Sequence, residues 1–408
     1  MNIWRVPYPK FGAGPGLERC VAVAQRLGLD LGAFGSSAAV IVGSNGKGST
    51  AAMSASLLRQ TDQNAGLFTS PHLFALNERF RIGDYDISDE ELGRHWERVR
   101  GAVEACGLAD AIGGFEFLFL IAADWFAARD CAFTVWEAGI GGRLDPVKLI
   151  EAQQVAMTAL DLEHTALLGD TLEGIALEKV AAAPDGAKLF VSDIAAPLGS
   201  AVRGVIETYC SAHNVSVSFV AAVAHTLPLK GVHQQSNAAL ALRLTQSIAP
   251  LSETQIERGL AATRWPGRLE VLSSEPLVVI DVGHTPDGVT KALEGFQTMR
   301  GERAGVLVCG VSSDRNAASI IERLAPAFQH IICAAAEHKG AAPAIIAAHA
   351  QNANPSAEIS LAESVAEARQ LAFARARGGA VYVAGGLFLA AEFKAVHLGR
   401  DPASLAFF

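Results

Sequence analysis

The chain has 408 residues, half of them hydrophobic, and a formal net charge of −9. That length exceeds one ordinary core and predicts two or three domains, and abundant Ala and Gly with 7% aromatics favour layered α/β packing over a β-sandwich. The absence of a Lys/Arg-rich run argues against a nucleic-acid partner, although an acidic chain can still bind anions through local donors.

Residues 17–29 (LERCVAVAQRLGL) have helical spacing, and Ala38–Val42 reads as a short buried strand. A Gly-rich turn follows at 43–50, then a helix. FEFLFLIAADWFAARD (115–130) reads as a buried helix, CAFTVWEAG (131–139) as a strand ending in glycines, and VAMTAL (155–160) as another apolar strand. The stretch 185–235 is less regular, with a strand-like FVSD and a helix near 198–212; a helix is expected at 237–249. Arg264-Trp265-Pro266-Gly267-Arg268 punctuates the pattern as a linker or hinge. Beyond it, 277–283, 304–311, 330–336 and 380–386 are candidate strands with helices between them. The expected fold is α/β: a phosphate-loop domain with a mostly parallel sheet at 1–265, and a smaller Rossmann-like domain at 266–408.

No apolar run has the length and purity of a membrane span. The N-terminus lacks the charged-then-apolar order of a secretory signal. Six cysteines, at 20, 106, 131, 210, 309 and 333, form no CxxC pair and read as buried free thiols in a reducing compartment. The cytoplasm is the expected compartment.

The most informative segment is Gly43-Ser44-Asn45-Gly46-Lys47-Gly48-Ser49-Thr50, between a strand and a helix. Glycines let backbone N–H groups turn around phosphate oxygens, and the helix adds its N-terminal dipole. Lys47 offers a mobile cation to the β/γ-phosphates, and Ser49 or Thr50 a hydroxyl to Mg²⁺. The spacing is not the common GxxxxGK[ST]: position 41 is Ile, and Gly48 separates Lys47 from Ser49.

GSNGKGST closely resembles the GTNGKGS loop of the folylpolyglutamate/dihydrofolate synthase branch of the Mur ligase family. Further blocks are similar in the same order. Ser70-Pro71-His72-Leu73 with Glu78-Arg79 resembles SPHL…ER, and Glu137–Asp145 resembles E-x-G-x-GGRLDATN. Leu162-Glu163-His164-Thr165, Leu168-Gly169 and Glu178-Lys179 resemble LDHT…LG…EKAG. His233-Gln234 to Asn237, Trp265–Arg268 and Asp281–His284 complete the series.

The resemblance implies an ATP-dependent ligase that joins L-glutamate to a folate or pteroate carboxylate through an acyl phosphate, using Mg²⁺, expected as two ions. It implies Glu137, His164, Ser70 and Ser49 as metal ligands and carbamylation of Lys179. It places Asn237 toward the nucleotide base, Arg268 at the ATP phosphates, and Asp281 and His284 over ATP and the incoming amino acid, in a site between domains. Such enzymes resemble monomers. On the residues alone these assignments compete with plainer ones: Lys179 as an exposed helix lysine, Asn237 as a helix cap, Ser70 as a turn residue and Glu137 as a solvated strand end.

Departures concentrate in the second domain. The family's HNP reads His284-Thr285-Pro286; its lysine-bearing loop reads Gly310-Val311-Ser312-Ser313-Asp314-Arg315-Asn316; and its GS-L-Y reads Gly385-Gly386-Leu387-Phe388. In the first domain, DATN reads Asp145-Pro146-Val147-Lys148. The ATP machinery thus matches better than the presumed amino-acid and pterin contacts. Rival readings are the same chemistry on another acid or amino acid, a non-catalytic nucleotide-binding homologue, and a switch-type NTPase, the last opposed by the loop spacing.

Overall fold

The computed structural model describes residues 4–14, 16–193, 199–313, 315–405 and 407. Two compact units divide the chain. The first runs to Pro228 and resumes at Gln234–Arg264; the second takes Leu229–His233 and Trp265–Phe407.

The first unit holds an eight-stranded sheet. Its strands are β1 (Ala38–Val42), β2 (Ala65–Phe68), β3 (Phe80–Ile82), β4 (Tyr85–Asp86), β5 (Phe133–Glu137), β6 (Gln154–Met157), β7 (Lys188–Ser192) and β8 (Ser216–Val220). The order is β4-β3-β2-β5-β1-β6-β7-β8. From β2 to β8 every pairing is parallel, whereas β3 and β4 add an antiparallel edge. Every residue of β1 is buried. A parallel strand covered on both faces loses the apolar–polar alternation, which is why AAVIV is continuous.

The helix Lys47–Leu58 leads away from β1 and is buried along most of its length. Its Ala, Ser and Gly side chains allow close approach: Ser56 Oγ donates to Gly259 O at 2.6 Å, and a Cβ on Gly259 would stand 3.0 Å from Leu57. The helix Gly114–Ala128 is buried nearly all round, matching its unbroken apolar sequence. Phe119, tilted, and Phe126, edge-on, pack with ring centroids 5.3 Å and 5.2 Å from Trp136 on β5. Each such buried aromatic contributes roughly 1.5–3 kcal/mol.

The second unit has a six-stranded sheet, β9 (Glu270–Ser274), β10 (Leu277–Ile280), β11 (Gly305–Cys309), β12 (His330–Cys333), β13 (Glu358–Leu361) and β14 (Ala380–Ala384), in the order β13-β12-β11-β14-β10-β9. Only β9 runs antiparallel to its neighbour among these strands.

Four expectations shift. The helix expected at 237–249 begins earlier, at His233–Gln246, so Asn237 lies inside it rather than at its cap. The helix near 198–212 is Ser200–Ala212, and residue 198 lies outside the described residues, as does Asp314. β10, which carries Asp281 just past its end, is the second strand of its unit, not the first. Of the six cysteines, all free, Cys106 and Cys131 are only half-buried. Among the described residues no helix is long and apolar enough to cross a membrane.

Candidate active site

The carboxyl ends of β5, β1 and β6 lie side by side, where open parallel sheets bind ligands. The loop after β1 is tied to the segment after β6: Ser44 N–H donates to Ala159 O at 2.7 Å, and Ser44 Oγ to Asp161 O at 3.1 Å. Two of its glycines are sterically required. Gly43 has φ +142°, and a Cβ there would lie 1.8 Å from Thr158 Oγ1. Gly46 has φ +89°, and its Cβ would meet Asn237 Oδ1 at 2.5 Å. Asn237 is buried and donates from Nδ2 to Gln234 Oε1 at 2.9 Å. It therefore sits against the phosphate loop, although it caps nothing.

Lys47 is the first residue of the helix that follows. The N–H groups of Lys47, Gly48 and Ser49 have no intrahelical carbonyl to reach, as at any helix start. Ser49 and Thr50 are buried, and Thr50 Oγ1 has no hydrogen-bond partner among the described residues. Backbone donors, a helix start and an unsatisfied buried hydroxyl form a cradle suited to phosphate. Lys47 Nζ bonds Gly43 O at 2.8 Å and Ser44 O at 3.3 Å.

Lys179 overturns the plain reading of an exposed helix lysine. It is 1% exposed. It stands in the last turn of the helix Leu172–Val180 and donates from Nζ to Gly43 O at 2.9 Å and Glu163 Oε1 at 2.8 Å. Burial pulls the amine down to about 8, with Lys47 assisting against the attraction of Glu163. Burial opposes the charge of Glu163, but Lys47, Lys179 and His164 together hold its carboxyl down to about 2. The glycine-rich turn after β5 makes this closeness feasible: a Cβ on Gly142 would stand 2.8 Å from Lys179 O, and Arg143 N–H donates to Glu178 O at 2.8 Å.

Asp145 closes that same turn. Its carboxylate accepts from Gly139 N–H at 2.9 Å, Ile140 N–H at 3.1 Å and Val147 N–H at 3.1 Å. Burial still raises it to about 6 against those bonds and Lys47.

Glu137 ends β5 and is buried rather than solvated. Its Oε2 accepts from Ser70 N–H at 3.0 Å, so two candidate metal ligands are adjacent. His164 precedes the short helix Thr165–Leu168 with φ +46°, a left-handed conformation costly for a non-glycine residue. Among the described residues no three His, Cys, Asp or Glu side chains gather as a metal cage. Mg²⁺ needs none: it is commonly held by one or two carboxylates, phosphate oxygens and water. Glu137 with the Ser49 and Ser70 hydroxyls fits that pattern beside a phosphate cradle.

The second unit carries Arg268, Asp281 and His284. Asp281 is buried and accepts from Gly283 N–H at 2.7 Å and Leu269 N–H at 3.0 Å. Burial raises its carboxyl, and Arg268 opposes the rise. His284 Nδ1 lies 3.3 Å from Val282 O. Thr285 caps the helix Pro286–Arg300 by accepting from Gly288 N–H at 3.1 Å, a task Asn also performs, so this departure keeps the backbone in place. Burial lowers His233 to about 4, aided by Arg268 and Lys291.

The other departures of the second unit converge. A small cleft at the carboxyl ends of β11, β12 and β14 is lined by Gly310, Val311, Ser312, Ala336, Gly340, Gly386, Phe388 and Leu389. Phe388 packs edge-on to His338, centroids 4.6 Å apart. Sequence reasoning assigned no role to Glu163, Asp145, Glu78 or Arg79, although each lies within a recognised block.

Residues 267–387 match the Mur ligase, glutamate ligase domain. The chain is 32% identical over 407 residues to a probable bifunctional folylpolyglutamate synthase/dihydropteroate synthase of Halobacterium salinarum, covering 94% of this chain and 49% of that one. It therefore spans about half the length of the bifunctional archaeal relatives it matches. A solved bifunctional folylpolyglutamate synthase/dihydrofolate synthase of Yersinia pestis, complexed with AMPPNP and a Mn ion, superposes with a TM-score of 0.83 at 25% identity, covering 94% of this chain and 93% of that one. The folylpolyglutamate synthase of Lacticaseibacillus casei is 30% identical over 320 residues, with 71% of this chain and 74% of the relative covered. With that coverage, and the phosphate loop, buried lysine and strand-end glutamate in place, the chain belongs to the folylpolyglutamate synthase family.

Proposed function

We propose that the protein is an ATP-dependent amide ligase that adds L-glutamate to the carboxylate of a folate- or pteroate-type acid. One observation carries the reading: a glycine-shaped phosphate loop whose carbonyl at Gly43 is shared by Lys47 and the buried Lys179, with Glu163 beside them. A simple nucleotide binder has no use for a second, buried lysine near neutrality at that place.

In the reaction, a carboxylate oxygen of the acid attacks the γ-phosphorus of ATP and ADP departs, leaving an acyl phosphate. The amino group of glutamate then attacks the acyl carbon, phosphate leaves with its bonding pair, and the amine loses a proton. The loop N–H groups and the helix start orient the phosphates, and Lys47 follows the charge that moves onto the departing ADP. Glu137, His164 and the Ser49 and Ser70 hydroxyls are the residues that would hold Mg²⁺, which would supply Lewis-acid polarisation of phosphate oxygens. Lys179 is suited to carbamylation, because its lowered affinity for protons leaves neutral amine available to add carbon dioxide with release of a proton. Asn237 faces the loop from the side and serves the nucleotide. In the second unit, Arg268 and Lys291 gather positive charge suited to an anionic substrate group around a His233 ring that they and burial keep neutral, with Asp281 and His284 alongside.

A second reading, the same chemistry with another amino acid, is favoured by the cleft at 310–312, 336–340 and 386–389. None of its lining side chains is charged, and Phe388 replaces a tyrosine hydroxyl there. Phosphate release from MgATP, with dihydropteroate or tetrahydrofolate and with or without L-glutamate, tests both. Release that requires both partners, with a product heavier by one glutamyl unit, supports the first. Release with a different amino acid supports the second, and silence across a wide panel removes both.

A further inference from the structure

Glu78 and Arg79 lie in one of the family's sequence blocks, yet neither has a part in the chemistry above. Arg79 is 3% exposed. A guanidinium cannot shed its proton to escape burial, so it persists only where acceptors and opposite charges hold it. Its Nε donates to His72 Nδ1 at 3.0 Å, which makes that ring nitrogen an acceptor. Burial pulls Arg79 down to about 10, while Glu137 and Glu78 both attract it. Glu78 accepts three successive backbone N–H groups, from Leu73 at 2.7 Å, Phe74 at 2.9 Å and Ala75 at 3.0 Å.

The segment 70–75 belongs to no helix or strand, so its shape rests on these contacts. It is held at three points: Ser70 N–H on Glu137, the His72 ring on Arg79, and residues 73–75 on Glu78. All three points lead back to Arg79, which meets Glu137 and Glu78 electrostatically and His72 directly.

We propose that Arg79, seated by Glu78, is a positioning residue: it holds the 70–75 segment and Glu137 in the arrangement that receives a divalent cation together with the nucleotide. The inference rests on the reading of Glu137 and Ser70 as metal ligands. Arg79 touches neither metal nor substrate. Its cation compensates the buried carboxylate of Glu137, and its bond to His72 fixes the segment whose first N–H orients that carboxylate. Groups that orient a metal's ligands in this way matter nearly as much as the ligands themselves.

The test uses the full chain and Mn²⁺ as the probe. Mn²⁺ binding is followed by electron paramagnetic resonance with a non-hydrolysable ATP analogue present, and the analogue alone is titrated by calorimetry. Arg79→Met weakens Mn²⁺ binding by about tenfold to a hundredfold, while metal-free analogue binding is unchanged. Arg79→Lys recovers part of the loss, because it keeps the cation but not the planar donor. Glu78→Gln, which preserves shape and keeps Arg79, shifts Mn²⁺ affinity in the same direction by less. Should Arg79→Met fail to fold, these last two variants carry the test. Unchanged Mn²⁺ affinity in the folded variants overturns the inference, as does an equal fall in analogue and metal binding, which marks general disruption. A wild-type protein that binds no Mn²⁺ beside the nucleotide instead overturns the metal reading beneath it.

Discussion

Two places in this molecule share one backbone plan and differ in chemistry. Each has a parallel strand, a glycine turn and a helix: β1, Gly43–Gly46 and Lys47–Leu58 in the first unit; β14, Gly385-Gly386 and Leu387–His397 in the second. In both, a glycine with positive φ would collide if it carried a Cβ, Gly43 with Thr158 and Gly385 with Gly310 O at 2.6 Å. The first is surrounded by Lys47, Lys179, Glu163 and Asp145. The cleft at the second is lined by small and apolar residues, with Ser312 its only hydroxyl. The plan supplies a place where backbone and ligand can meet; the side chains decide which ligand and what chemistry.

The sharpest way to break the comparison is at Lys47. Lys47→Ala is expected to lower turnover by about a thousandfold or more, as loss of a charge-stabilising donor does in phosphoryl transfer, with the fold retained. Single-turnover ATP cleavage checks this, and near-normal cleavage would move the phosphate site elsewhere.

The buried pair comes next. Lys179→Met leaves Glu163 uncompensated and is expected to destabilise the first unit by about 3 kcal/mol in denaturant unfolding, with much of the loss recovered when Glu163→Gln is added. The linkage has the same sign for the two groups, because both are depressed on folding: stability rises with pH through each window. Glu163 is depressed from 4.5 to about 2, so its contribution is complete above 4.5 and is lost as pH falls toward 2. Lys179 is lowered from 10.5 to about 8, so the unfolded chain binds the extra proton between 8 and 10.5, and stability rises with pH across that window. For the same reason a carbamate signal in the presence of ¹³C-bicarbonate should grow as pH rises through about 8 and vanish in Lys179→Met.

A smaller effect is expected from Gly46→Ala. Its left-handed backbone and the contact with Asn237 predict a cost of about 1–2 kcal/mol, read as weaker nucleotide binding and a lower melting temperature. A neutral outcome would mean that Asn237 yields and that the loop is less constrained than its geometry indicates. The smallest effect concerns the second place. Phe388→Tyr adds one hydroxyl to the cleft and is expected to change the preference among amino acids by about 1 kcal/mol, read as relative kcat/KM for L-glutamate against other amino acids. Absence of any change in preference would separate that cleft from amino-acid selection.

The phosphate loop was legible in the sequence because its determinants are local: glycines where φ is positive, and a lysine at the helix start. β1, β10 and β14 were legible because full burial writes continuous apolar runs. The β3–β4 hairpin was missed, since strands of three and two residues are too short to show a period. β8 and β13 are edge strands with mixed polarity and gave no clear signal. The burial of Lys179 was invisible for a different reason. It depends on Glu163, sixteen positions away, and on a missing Cβ at Gly142, neither of which alters the local helical pattern. The start of the helix His233–Gln246 was misplaced because its first turn is polar and lacks a marked cap.

Oxygen tracing tests the central claim most directly. The acid substrate is labelled with ¹⁸O in its carboxylate and turned over with MgATP and glutamate. Attack by that carboxylate on the γ-phosphorus predicts one labelled oxygen in each released phosphate, with ADP as the other product. Phosphate free of label, or formation of AMP, would contradict the acyl-phosphate route and the reading built on it.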